Sequence, residues 1–273
     1  MASPTARPVR IAGLALAGGA LLGLLVLERT RALRPRAEPG SRRLARNALL
    51  GAMSLGVVQV LQQPMAEPLA QLVERRRFGL AQRLPVPPIL RDAAAFLFLD
   101  WTIYLWHVGT HRVPALWRLH RVHHVDLDLD ASTALRFHLV EMAVSIPYRA
   151  AQIILGGVSP RALQLWQSFF FAAVLFHHSN LRLPPALERR LGRLLVTPRM
   201  HGVHHHAVLR DTDSNWSSGL SIWDRLHGTY REAPQNAARI GVETYADPVG
   251  IEESLRLPFQ QRRDWLESDL AAR

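Results

Sequence analysis

One spacing constrains this chain more than any other: His120-x2-His123-His124, which returns downstream as His201-x2-His204-His205. Residues three and four apart on a helix share a face, so each copy aims its imidazoles at one spot. His107-x3-His111 has the same one-turn spacing, and His177 and His178 stand side by side. A lone histidine is ordinarily a satisfied core or surface residue, but a duplicated HxxHH is poorly explained that way. Imidazole suits iron, zinc, copper and nickel, so the pattern predicts a metal centre. The chain has 13 histidines and no cysteine. Disulfides, Cys-rich zinc sites and Cys-ligated iron–sulfur clusters are therefore excluded. HExxH is absent, and so are the Glu-x-x-His pairs of carboxylate-bridged di-iron bundles. A single zinc takes three or four protein ligands. Nine or so imidazoles suit two metals in a common site.

The histidine clusters sit at the ends of apolar segments. Residues Ile11–Leu27 are uninterruptedly apolar, with Arg7 and Arg10 before them and Glu28, Arg29 and Arg31 after. That length reaches the lower limit of about 17 residues for a spanning helix, and a retained transmembrane helix is expected rather than a cleaved signal. Arg29–Arg46 holds seven arginines with Pro35, Pro39 and Gly40, which reads as a cytoplasmic loop. Asn47–Gln62 is a second apolar stretch expected to end near Pro64 and to complete a membrane hairpin. Arg75, Arg76 and Arg77 follow, and Pro85, Pro87 and Pro88 mark a boundary. If both segments span, those arginines face outward, against the positive-inside tendency. Either the second segment is re-entrant or the following region lies along the interface as an amphipathic helix; the residues leave both open.

Ala93–Trp106 is apolar except for Asp100 and runs directly into His107. An acid inside an apolar segment usually has a partner. Asp100 is thus a candidate to accept the outer N–H of a metal-bound histidine, or else a helix-positioning group at the interface. Pro114 is expected to break the helix so that the clusters on either side approach from different directions. Leu139–Val158, broken by Glu141, Pro147 and Arg149, and Ala162–Phe176 form a second hairpin through a turn at Gly156–Pro160. An even number of crossings places all four histidine groups on one side of the membrane.

The resulting expectation is an all-α, integral membrane helical bundle of about four transmembrane helices with a cytoplasmic histidine-rich helical cap. Residues 1–90 would form an N-terminal membrane hairpin and amphipathic or linker region, 91–235 the catalytic domain, and 236–273 a polar C-terminal tail. The formal charge is +11, and all 33 basic residues are arginine. No basic–aromatic module accompanies them, so arginine-flanked membrane segments explain the charge better than nucleic-acid binding.

Several motifs carry a family resemblance. They are Asp100-x3-Tyr104-x2-His107-x3-His111; Leu116-Trp117-Arg118-x-His120-x2-His123-His124; Thr133-Ala134-Leu135-Arg136-Phe137-His138-x2-Glu141; Phe176-His177-His178-Ser179-Asn180; Thr197-Pro198-Arg199-Met200-His201-x2-His204-His205; and Trp223-Asp224-Arg225-Leu226-x-Gly228-Thr229-Tyr230. In order and spacing, over about residues 90 to 232, the chain resembles the fatty acid hydroxylase/sterol desaturase superfamily of integral-membrane non-haem di-iron oxygenases. The first 90 residues and the last 40 carry little of the resemblance.

The resemblance implies two Fe ions as cofactor. It makes His107, His111, His120, His123, His124, His201, His204 and His205 ligands, with His178 as the ninth and His177 its competitor. Some relatives carry a further histidine where this chain has Ala173. Asp100, His138, Asn180, Asn215 and Asp224 are implied as supports around the ligands; His138 could equally be structural, and His206 and His227 fall outside the spacing. The implied reaction is O2-dependent hydroxylation or desaturation of a C–H bond of a lipid, whether sterol, hopanoid, fatty acyl or related. Two electrons would come from an external reductase or ferredoxin-like donor. The implied location is the inner cell membrane, multi-pass, with the active site on the cytoplasmic side. Two other readings use the same residues: a membrane di-zinc hydrolase in which the imidazoles activate water, and a non-catalytic metal-storage or sensing protein. The second leaves the lipid-facing hairpin without a purpose.

Overall fold

The apolar segments fold as helices, and their packing decides where the histidines meet. The computed structural model describes residues 19, 22–38, 40–236 and 238–260. Most of Ile11–Leu27 lies outside these residues; helix α1 is described over 22–30. Among the described residues the regular structure is helical, with three isolated bridges (Ala32–Leu181, Leu195–Leu220, His206–Ile240) and no strand.

Helix α2 (Ser41–Val57) passes through one π turn (Val58–Gln62) into α3 (Gln63–Arg76). The apolar stretch expected to end near Pro64 therefore continues. Proline lacks the N–H that a regular ladder uses, and the wider turn just before it carries the helix past. The helical run Ser41–Arg83 is, among the described residues, the one helix long and apolar enough to cross a membrane.

The short α4 (Gly79–Arg83) and the Pro85–Pro88 link lead into α5 (Pro88–Arg112). Then come α6 (Pro114–His124), α7 (Leu139–Gly156) and α8 (Pro160–His178). Gly157 closes α7 in the left-handed conformation (φ 69°), the usual helix-terminating geometry. Ser159 then caps α8, its side chain accepting from the Ala162 N–H. Gly79 seats α4 against this turn: a Cβ there would lie 2.3 Å from Gly157 N and from Ile154 O.

Ala66, Ala70 and Val73 form an i, i+4, i+7 stripe on α3. They pack with Ala95, Leu99 and Ile103 of α5, Ile153 of α7, and Ala162, Leu163 and Trp166 of α8. The small side chains let the helix backbones approach closely. A second cluster joins Leu50 of α2 and Val122 of α6 to Val242, Tyr245, Val249 and Leu257, so residues from 242 to 257 pack against α6. The remaining helices are short: α9 (Pro185–Leu191), α10 (Pro198–His204), α11 (Leu209–Thr212), α12 (Ile222–Leu226) and α13 (Ile251–Arg256). The α7–α8 hairpin starts and ends at one place: Glu141 near its start bonds His120, and His178 at its end approaches His123.

Candidate metal centre

Three local signals place the ligands. Val113, preceding a proline, is extended (φ −96°, ψ 113°) and ends α5, as sterics before proline require. Pro114 then occupies the first turn of α6, where its missing N–H costs nothing. The break expected there is present, and it turns His107 and His111 of α5 toward His120, His123 and His124 of α6. The third signal is Thr197, whose hydroxyl accepts from the Met200 N–H and starts α10 with Pro198 next in line. That helix presents His201 and His204, and His205 caps it.

These side chains converge as two buried groups. One holds His107, His111, His120, His124 and His204; the other holds His123, His178, His201 and His205. In each, the ligand nitrogens lie within 4.8 Å of one another. The two HxxHH copies divide in opposite ways. The first gives His120 and His124 to the five-histidine group and His123 to the other. The second gives His204 to the five-histidine group and His201 and His205 to the other. Adjacent residues on a helix point roughly 100° apart, so each motif can face both groups at once.

The hydrogen bonds test whether metal fits. His107 Nδ1 lies 2.7 Å from Trp216 O, and His204 Nδ1 lies 2.8 Å from Ser214 O. His120 Nδ1 lies 2.8 Å from Glu141 Oε1, and His178 Nδ1 lies 2.8 Å from Val174 O. Each acceptor takes the Nδ1 proton and leaves Nε2 with a lone pair. The Nε2 atoms of His111, His120, His124 and His204 are buried and have no hydrogen-bond partner. In the second group His178 Nε2 is 3.0 Å from both His123 Nε2 and His201 Nε2, and His205 Nε2 is 3.1 Å from His201 Nε2. Inward-facing nitrogens without partners are costly when buried, and a bound cation would satisfy them together. Burial first, then neighbouring imidazoles, hold His123, His124, His201 and His205 well below the ordinary histidine range. Burial brings His204 down to about 3. These rings are neutral, the state a metal ligand needs. Neither group contains a carboxylate.

His177 is buried against His178 and His201, with ring centroids 4.5 and 4.1 Å away, yet it belongs to neither group. His138 caps α7 and approaches Leu255 O at 3.2 Å, a structural place outside both groups. The other supports expected from the sequence hold the surrounding chain rather than the imidazoles. Asp100 accepts from Leu220 N and from the Trp223 indole of α12, so it ties α5 to the start of α12. Asp224 accepts from the Trp216 and Ser217 N–H groups and thereby fixes the segment whose carbonyl meets His107. Asn215 bonds Met200 O and Arg231, and Asn180 bonds both backbone groups of Arg34. His206 pairs with Asp211, and His227 stacks on Tyr104. The partners missed from sequence are Glu141, present in a motif but given no role, and the carbonyls of Trp216, Ser214 and Val174. Backbone acceptors leave no signature in residue identity.

The family model "Fatty acid hydroxylase" matches residues 93–229, the segment that supplies all nine grouped histidines. The chain belongs to the fatty acid hydroxylase family. Among curated relatives, an ornithine lipid hydroxylase of Rhizobium tropici is 28% identical over 180 residues, covering 64% of this chain and 52% of that protein. The alkylglycerol monooxygenase of Danio rerio is 32% identical over 180 residues, covering 63% and 37%. A cholesterol 25-hydroxylase-like protein of the same fish is 30% identical over 153 residues, covering 55% and 59%. The chain thus spans about half or less of the length of the first two. No solved structure matches this family member.

Proposed function

We propose that this chain is a membrane-bound di-iron oxygenase that hydroxylates a C–H bond of a lipid with O2 and electrons from an external donor. The observation that carries this reading is the pair of all-imidazole groups beside an apolar cavity of about 320 Å³. Phe137 and Val174 line that cavity. The Phe137 ring stacks on His123 at 4.5 Å, and the Val174 carbonyl receives the His178 N–H. An alkyl chain lying in the cavity would end at Phe137 and Val174, the residues that touch His123 and His178.

Two iron ions in these groups would supply O2 activation and removal of hydrogen from an unactivated C–H bond. The chain's own residues do the rest. Glu141 and the three carbonyls orient the imidazoles. Leu97, Val144, Leu155, Leu165 and Phe171 are exposed on α5, α7 and α8, a surface suited to lipid. Together with the Ser41–Arg83 run, this supports the membrane-bound part of the reading; a multi-pass inner-membrane placement with the histidines at the cytoplasmic edge belongs to the proposal. The names of the relatives favour hydroxylation over desaturation, and none of them suggests hydrolysis.

The test combines metal analysis with lipid analysis. Protein purified from iron-replete cells should contain about two irons per chain, in keeping with the nine grouped imidazoles. Cells expressing it should gain a lipid heavier by one oxygen. Zinc alone with no O2 consumption, or a product lacking two hydrogens with no added oxygen, would sink the reading.

A further inference from the structure

The same cavity contains a cation with no acid to meet. Arg149, on α7, lines it together with Gln59, Gln62 and Gln63 of the π turn and its edge. Its guanidinium carbon lies 5.5 Å from the Trp166 ring centre and 5.9 Å from that of Phe170. Arg149 Nη1 donates to Gln152 Oε1 at 3.1 Å, and Gln152 Nε2 donates in turn to Thr102 Oγ1 of α5 at 2.6 Å. The guanidinium is therefore positioned by a bonded chain and by two aromatic faces. Among the described residues, no Asp or Glu lines the cavity. An arginine in an apolar bundle is expensive and marks a site with a missing partner. Its planar fork of donors matches a carboxylate or phosphate.

We propose that Arg149 binds an oxyanion carried by the lipid substrate, so that the cavity selects acidic lipids over neutral ones of the same chain length. This rests on the oxygenase reading above and adds the substrate's chemical class. Glu141 bonds His120, and eight residues along α7 separate it from Arg149, roughly 12 Å of helix at about 1.5 Å per residue. An oxyanion held at Arg149 thus presents to the histidines a carbon well down the alkyl chain, not one next to the acidic group.

The experiment measures equilibrium binding by tryptophan fluorescence to the purified full-length protein in detergent, without O2 or reductant. The probes share one chain: hexadecanoate, hexadecyl phosphate and hexadecan-1-ol. At least one anion should bind about ten-fold or more tightly than the alcohol, as expected for charge-assisted hydrogen bonds. Hexadecanoate against hexadecyl phosphate tells a carboxylate preference from a phosphate one. R149Q should reduce the preference to near parity. R149K, which keeps the charge and loses the fork, should retain part of it. An alcohol that binds wild-type protein as well as both anions overturns the proposal, whether or not the variants fold. So does a folded, metal-replete R149Q that keeps the preference. Failure of the oxygenase reading looks different: lipid binds and no oxygen is consumed.

Discussion

The two histidine groups are close neighbours built to different standards. In the five-histidine group, His107, His120 and His204 each have an acceptor on the outer nitrogen, supplied by Trp216, Glu141 and Ser214. In the four-histidine group only His178 does; the Nδ1 atoms of His123, His201 and His205 are buried without a partner. An outer acceptor fixes the ring's tautomer and direction and raises its basicity. An outer acceptor thus fixes three of the five rings in the first group and one of the four in the second; His124 Nδ1 of the first group is also buried without a partner. The cavity-lining Phe137 stacks on His123 of the second group and lies 6.0 Å from His120 of the first, and Val174 carries the acceptor of His178.

The hardest blow to this picture comes from the ligands that cross between motifs. His204→Ala and His123→Ala each remove the single residue that one HxxHH copy lends to the other copy's group. Each should cost more than the roughly 100-fold typical of losing an outer partner, with metal analysis showing one group emptied. Retained turnover in both variants would break the shared-site model. Glu141→Gln comes next: about 10–100-fold weaker metal binding in the five-histidine group, with the four-histidine group spared. Equal weakening of both would erase the distinction drawn here. A chelator titration asks the same question without mutation. Metal should leave in two phases, the four-histidine group first, and a single phase would argue against the contrast. His178→Ala should empty that group, whereas His177→Ala should leave the metal content of the parent. The smallest effect expected is from Phe137→Ala, which loses a ring stacked on His123. A few tenths to about 1.5 kcal/mol of stability is at stake, read from thermal unfolding.

Much of the site was legible because metal ligation depends on side-chain type and helical spacing, both of which sequence records. The two HxxHH copies, His107-x3-His111 and the break at Pro114 all read directly. The split into five and four did not, because adjacent histidines such as His123 and His124 differ only in direction, which depends on how α6 and α10 are set against each other. Choosing His178 over His177 needed the end of α8 in place. The position of Asp100 inside an apolar helix announces a partner, but which one is not legible, because Leu220 and Trp223 are distant in sequence. In the fold, helix identity followed from apolar runs, while the passage through Pro64 depended on a π turn that composition does not announce.

That turn has one further consequence. A π turn holds one residue more than an α turn, so it sets the angular phase between everything before Val58 and everything after Gln62. Deleting one residue from this stretch would leave that phase nearly unchanged, but winding all five as regular α-helix would rotate α3 by roughly 100° relative to α2. Ala66, Ala70 and Val73 would then swing away from α5, α7 and α8, and the two halves of the long helix could not both stay docked. The wide turn absorbs the extra residue, so both halves of one rod stay docked on their faces.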